Sequence, residues 1–225
     1  MIEAVVFDLD GVIVDSEQVW DEVREAYTRE SGGKYTDTAA RDMMGMSSLE
    51  WSRYMADTLG VPGTPAEINA AIVARMLERY GADPPLIPGA VDAVRRVGAR
   101  RRLAIASSSN PELIEVVVHA AGLDELFPVR VSSQEVPRGK PAPDVYLEAA
   151  RRLGVGPVRC GAVEDSHNGI LSAKAAGMRV VAVPNPHFPP HDDALAEADV
   201  VLGSIAELSP ESFEARARTS RRPFA

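Results

Sequence analysis

The sequence predicts an α/β fold: a doubly wound, Rossmann-like parallel sheet with an all-helical segment inserted after its first strand. Three observations predict it. Short, wholly apolar runs recur along the chain, as buried parallel strands require. Marked helices separate most of those runs. One stretch of about seventy residues breaks the alternation with helical periodicity alone.

The predicted strands are Ala4 to Phe7, Leu103 to Ala106, Val129 to Val131, Gly161 to Val163, Val180 to Val183 and Val200 to Leu202. Asn110-Pro111 opens a helix that Gly122 ends, and Pro143-Asp144 opens another that Gly154 ends. Asp165 or Ser166 opens a third, ended by Gly177. From about Asp15 to Pro85 the pattern is helical: Trp20, Val23 and Tyr27 share one face, as do Ile68, Ile72 and Met76. Ser47 with Glu50 and Thr64 with Glu67 read as capping boxes, the second with Pro65 at the first helical position. The expected division is a core of residues 1–15 and 86–210, a helical insert of 16–85, and a frayed tail of 211–225 that carries four arginines.

Composition narrows the function. Lys and Arg number 24 against 33 Asp and Glu, for a net charge of −9 and a pI near 5.0. That disfavours nucleic acid or an anionic membrane as the main partner. A single cysteine excludes an intrachain disulfide, and no apolar run approaches the roughly 20 residues of a membrane span. The start lacks a basic region followed by an apolar one, so no secretory signal is expected and a cytoplasmic location is.

The polar residues at the strand ends carry the chemistry. Asp8 and Asp10 follow the first strand at i and i+2, on one side of it, where α/β proteins bind ligands. Two adjacent carboxylates repel unless a cation or proton lies between them, which invites Mg²⁺. Glu164 and Asp165 follow another strand at the same sheet edge. Ser107 opens the run Ser107-Ser108-Ser109-Asn110, whose hydroxyls and amides suit phosphate oxygens. Lys140 is one of three lysines, a compact charge suited to phosphate. Each feature alone has a plainer reading: a solvated turn, an acidic helix start, a helix cap, an exposed lysine. Together they describe a phosphoryl-transfer site.

With these residues in order, the chain resembles the haloacid dehalogenase superfamily, phosphatase branch. The motifs are Asp8-Leu9-Asp10-Gly11-Val12, Ser107, Gly139-Lys140-Pro141, and Glu164-Asp165-Ser166 with Asn168-Gly169. The insert resembles the helical cap of β-phosphoglucomutase-like enzymes and sugar-phosphate phosphatases. The resemblance implies that Asp8 is the nucleophile of an aspartyl-phosphate. It implies that Asp10 is the general acid and base and binds Mg²⁺ through its carbonyl. Ser107, Ser108 and Lys140 would hold the phosphoryl group. Asp8 and Asp165 would bind Mg²⁺, with Glu164 a direct or water-mediated partner.

Departures from the family pattern order the alternatives. Trp20 stands where β-phosphoglucomutases carry a cap histidine, and Gly45-Met46-Ser47 is followed by Ser48 and Leu49 rather than by an arginine. A mutase is therefore the second choice. Lys34 lies in a turn, unlike the Schiff-base lysine of phosphonoacetaldehyde hydrolases, and Asp10 with Asp165 argues against dehalogenase chemistry. A receiver-like or silent phosphate-binding module is the non-enzymatic alternative, disfavoured because nucleophile, second Asp and lysine are all present. Cys160 reads as a buried small residue, His119 as helical, and His167, His187 and His191 as loop residues without the partners of a zinc site. The expected activity is Mg²⁺-dependent hydrolysis of a small phosphorylated metabolite, a sugar or polyol phosphate, by a monomer or weak homo-oligomer.

Overall fold

A computed structural model describes residues 1–43, 46–186 and 189–214. Its sheet has six strands: β1 (Ala4–Phe7), β2 (Arg102–Ser107), β3 (Val129–Ser132), β4 (Cys160–Glu164), β5 (Arg179–Ala182) and β6 (Val200–Val201). The order is β3-β2-β1-β4-β5-β6, and every pairing is parallel. β1 is central, with Val5 opposite Leu103 on one side and Gly161 on the other. The predicted doubly wound sheet is therefore present.

Strand alternation divides the core between the two faces. Val5 and Phe7 join a cluster with Val94 and Val97 of α5 (Ala90–Gly98) and Leu113 and Val117 of α6 (Pro111–Ala120). Ala4 and Val6 join another with Tyr146 and Ala149 of α7 (Asp144–Leu153) and Ile170 and Ala173 of α8 (His167–Ala175). A short α9 (Asp192–Glu197) precedes β6. The expected starts hold: Asn110 and Ser166 are N-caps, and the Ser166 hydroxyl accepts from Gly169 N at 3.2 Å.

Between β1 and β2 lie α1 (Glu17–Glu30), α2 (Ala39–Met43), α3 (Ser48–Asp57) and α4 (Pro65–Ala82). Both predicted capping boxes form, at Ser47–Glu50 and Thr64–Glu67. Ile68, Ile72 and Met76 are fully buried. Entry and exit run side by side: Asp15 N donates to Pro85 O at 2.8 Å and Ile87 N to Ile13 O at 2.9 Å, flanking a Val14–Leu86 bridge.

The frayed tail needs a correction. Pro210–Phe213 forms a 3-10 turn, and Phe213 is buried with its ring against Gly161 on β4, where any side chain would collide with it. A backbone site that only glycine leaves open receives the aromatic ring, so the ordered chain runs through the start of the expected tail. Residues 215–225 of that tail, with Gly45 and His187, lie outside the described residues.

Candidate active site

Parallel strands bring their carboxyl ends to one edge, and a cavity of about 450 Å³ opens there. Asp8, Asp10, Ser108, Lys140 and Asp165 line it from the sheet side. Glu17, Trp20 and Arg24 of α1, with Arg41, line it from the helical insert.

Asp8, Glu164 and Asp165 are all buried and each offers an oxygen, the three atoms lying within 4.8 Å of one another. Lys140 Nζ contacts Asp8 Oδ2 at 3.0 Å and Glu164 Oε1 at 2.7 Å. Burial alone would lower the lysine, but the two carboxylates outweigh it and hold Lys140 above its ordinary value. Burial pushes Asp8 well above the usual carboxylate range, and Glu164 adds to the push against the pull of Lys140. Asp165 is raised by burial and then by Glu164 and Asp8. Three buried carboxylates thus face one lysine. The donor set is all oxygen, and its charge is under-compensated, so these residues fit a hard divalent cation such as Mg²⁺.

Glu164 is the most heavily bonded of the three. Its Oε1 also accepts from the Tyr146 hydroxyl at 2.6 Å, and its Oε2 accepts from Asp165 N at 3.2 Å and Ser166 Oγ at 3.0 Å. Burial and the Glu164 charge keep the Tyr146 hydroxyl protonated. Two glycines make room for the acids. Gly11 has φ +72°, and Asp165 occupies the space its side chain would take; Gly169 likewise leaves space for the Glu164 carboxyl group.

Asp10 turns the other way. Its Oδ1 accepts from Ser16 Oγ at 2.5 Å and Trp20 Nε1 at 3.3 Å, and its Oδ2 from Ser109 Oγ at 2.7 Å and Ser107 Oγ at 3.4 Å. Ser107 is fully buried and also accepts from Ser109 N at 2.9 Å. The sequence reading gave no role to Ser16 or Tyr146, placed Ser109 only in the run suited to phosphate, and took Trp20 only as a departure from the family's cap histidine. The signals were a Ser-rich run after β2 and a tyrosine on the buried face of α7, whose hydroxyl needs a partner. His167 was set aside as an exposed loop residue. It instead begins α8, lines the cavity, and lies with its ring 4.9 Å from that of His191.

Known proteins resemble this chain in sequence and fold. A family model for haloacid dehalogenase-like hydrolases matches residues 2–177. Hexitol phosphatase B of Escherichia coli K12 is 32% identical, over 94% of this chain and 96% of its own length. A probable pseudouridine-5'-phosphatase of Drosophila melanogaster is 33% identical, over 92% of each chain. The structure of CbbY from Rhodobacter sphaeroides in complex with phosphate superposes with a TM-score of 0.85 at 29% identity, covering 96% of this chain and 100% of that one. With the family model covering most of the chain and the relatives nearly all of it, the chain belongs to the haloacid dehalogenase-like hydrolases.

Proposed function

We propose that the protein is a Mg²⁺-dependent phosphatase of small phosphorylated sugars or polyols, acting through an aspartyl-phosphate on Asp8. The observation that carries the proposal is the meeting of Asp8, Asp10, Lys140 and Asp165 at one cavity. The names of the relatives, hexitol phosphatase and probable pseudouridine-5'-phosphatase, support the reaction class and the kind of leaving group. In this reading residues 1–15 and 86–210 are the catalytic core and residues 16–85 a cap that closes the cavity and excludes water. The protein works in the cytoplasm as a monomer or weak homo-oligomer.

Asp8 and Asp165, with the Asp10 carbonyl, would hold Mg²⁺, and Glu164 would support them through its bonds to Lys140 and the Asp165 amide. Bound there, the ion supplies charge compensation for the phosphoryl oxygens. An Asp8 oxygen attacks phosphorus and the ester P–O bond breaks. The Asp10 carboxyl gives its proton to the departing alkoxide oxygen. Lys140 neutralises Asp8 and one phosphoryl oxygen, and Ser107, Ser108 and the loop amides orient the group. Asp10, now a carboxylate, takes a proton from water, whose oxygen attacks phosphorus. The Asp8 O–P bond breaks, giving inorganic phosphate and free Asp8.

The test is phosphate release from a panel of phosphomonoesters with and without Mg²⁺, for the wild type and Asp8→Asn. Release that needs Mg²⁺ and disappears in the variant is expected. Release that persists in Asp8→Asn, or no release from any ester by folded wild-type protein, refutes the proposal.

A further inference from the structure

The insert side of the cavity carries two arginines that form no ion pair among the described residues. Arg24 lines the cavity and is only 8% exposed. Its guanidinium lies 4.7 Å from the Trp20 ring centroid and 4.9 Å from that of Trp51. The two rings hold it in place without supplying an anion. Its Nε makes no hydrogen bond, and among the described residues no carboxylate comes within the 4.0 Å of an ion pair. Burial lowers the guanidinium to about 10, so it stays charged at neutral pH.

Arg41 of α2 also lines the cavity, is exposed, and likewise forms no ion pair among the described residues. Lys140, at the opposite end, is already held by Asp8 and Glu164. Other charges act on Arg24 only at longer range. They are Glu17, Asp10 and Asp21, and Glu17 is itself pushed up to about 6 by burial and Asp10.

A buried guanidinium without a partner is costly, and a ligand that brings an anion recovers that cost. We propose that Arg24 and Arg41 form an anion-binding subsite. The preferred substrates are then phosphomonoesters whose leaving group carries a second anionic group, a carboxylate or a further phosphate. This rests on the phosphatase reading above and narrows its substrate class. Trp20 also donates to Asp10, so the tryptophan that stacks on Arg24 is the one that positions the carboxyl group beside the leaving oxygen.

The chain has only two tryptophans, and both touch the Arg24 guanidinium, so intrinsic fluorescence reports on the subsite directly. In an Asp8→Asn background, with Mg²⁺, the probes are matched pairs: phosphoglycerate against glycerol phosphate, and a hexose bisphosphate against its monophosphate. The member with the second anion is expected to bind about tenfold tighter or more, the worth of one charged hydrogen bond. Arg24→Gln and Arg41→Gln should each reduce that preference while leaving the neutral-tailed ester within about threefold. Which pair responds identifies the anion.

Equal binding within both pairs overturns the proposal, as does an equal loss on both members in the variants, which would make Arg24 merely the remote counter-ion of Glu17. If Arg24→Gln does not fold, Arg41→Gln decides, because its side chain is at the surface; an unchanged preference there refutes the subsite. Phosphate release by the wild type is scored separately. Anion-selective binding without release leaves the subsite standing and removes the phosphatase reading.

Discussion

Replacing Gly169 with alanine tests whether Glu164 is the keystone of the site. In the first turn of a helix, Gly→Ala ordinarily stabilises, by up to about 1 kcal/mol. Here a Cβ would overlap all three atoms of the Glu164 carboxyl group. The carboxylate must retreat by roughly 1.5 Å to regain ordinary contact distance. Such a retreat breaks the 2.7 Å bond from Lys140 and the 2.6 Å bond from Tyr146. A hydrogen bond to a buried charge contributes about 1.5–3 kcal/mol. Two such losses, less relaxation and the helix gain, leave a net destabilisation of about 2–4 kcal/mol. For a chain of this size that lowers Tm by roughly 5–15 °C. The matched control is Gly81, which lies near the end of α4 with open space where its side chain would be. Gly81→Ala should be neutral or stabilising by up to about 1 kcal/mol. Thermal melts of both variants, with phosphate release alongside, make the comparison. A Gly169→Ala protein as stable and active as wild type would refute the reasoning, because the sign of the effect depends wholly on Glu164.

Further outcomes are expected. Asp8 and Asp165 have folded-state values raised above the ordinary 3.8, so they favour the protonated folded state. Their contribution to metal-free stability is full below about pH 4 and is lost as pH rises through the raised values. Mg²⁺ replaces the missing counter-charge, so it should raise Tm more at about pH 8 than at about pH 5, and equal shifts would count against a cation at this cluster. Ser109→Ala removes the 2.7 Å bond to Asp10 and should lower kcat by about tenfold to a hundredfold. Trp20→Phe removes only a 3.3 Å bond and should lower kcat by less than about tenfold, so the reverse order in steady-state kinetics would contradict the geometry. Phe213→Ala empties the space against Gly161 and should cost about 3–5 kcal/mol in urea unfolding; a loss below about 1 kcal/mol would mean the turn is not part of the core.

Most strands were legible because they centre on short apolar runs, and Ala4–Phe7 falls where the sequence places it. The helix starts were legible because a cap is local chemistry: Ser47 and Glu50, or Thr64 and Glu67, need only three residues of chain. The acids at two strand ends followed from the same logic, since parallel strands must share an edge. What stayed hidden depends on residues far apart in the chain. Ser109 reaches Asp10 across 99 positions, and Tyr146 reaches Glu164 from the middle of a helix that looks like ordinary core packing. Arg24 falls one turn after Trp20, on the stripe of Trp20, Val23 and Tyr27, where a lone arginine among apolar residues gives no sign of its partner. Trp51 arrives from α3, far along the chain, and its ring lies 4.9 Å from the guanidinium. Phe213 was lost among the arginines near it, because periodicity gives no sign of a single aromatic that fills a gap left by glycine.

The bridged segments at residues 13–15 and 85–87 carry a consequence for the history and engineering of this chain. Entry and exit are joined by hydrogen bonds of 2.8 and 2.9 Å, so to the sheet the whole helical segment is a loop whose ends already meet. The entropy of closing such a loop grows only with the logarithm of its length, about 0.6 kcal/mol per doubling. By that rule a segment of about seventy residues costs the sheet about 3 kcal/mol more than a two-residue turn, and doubling the segment costs only about 0.6 kcal/mol more. The doorway acts as a docking port, through which the part that judges the substrate can be exchanged while the part that breaks the bond is left alone.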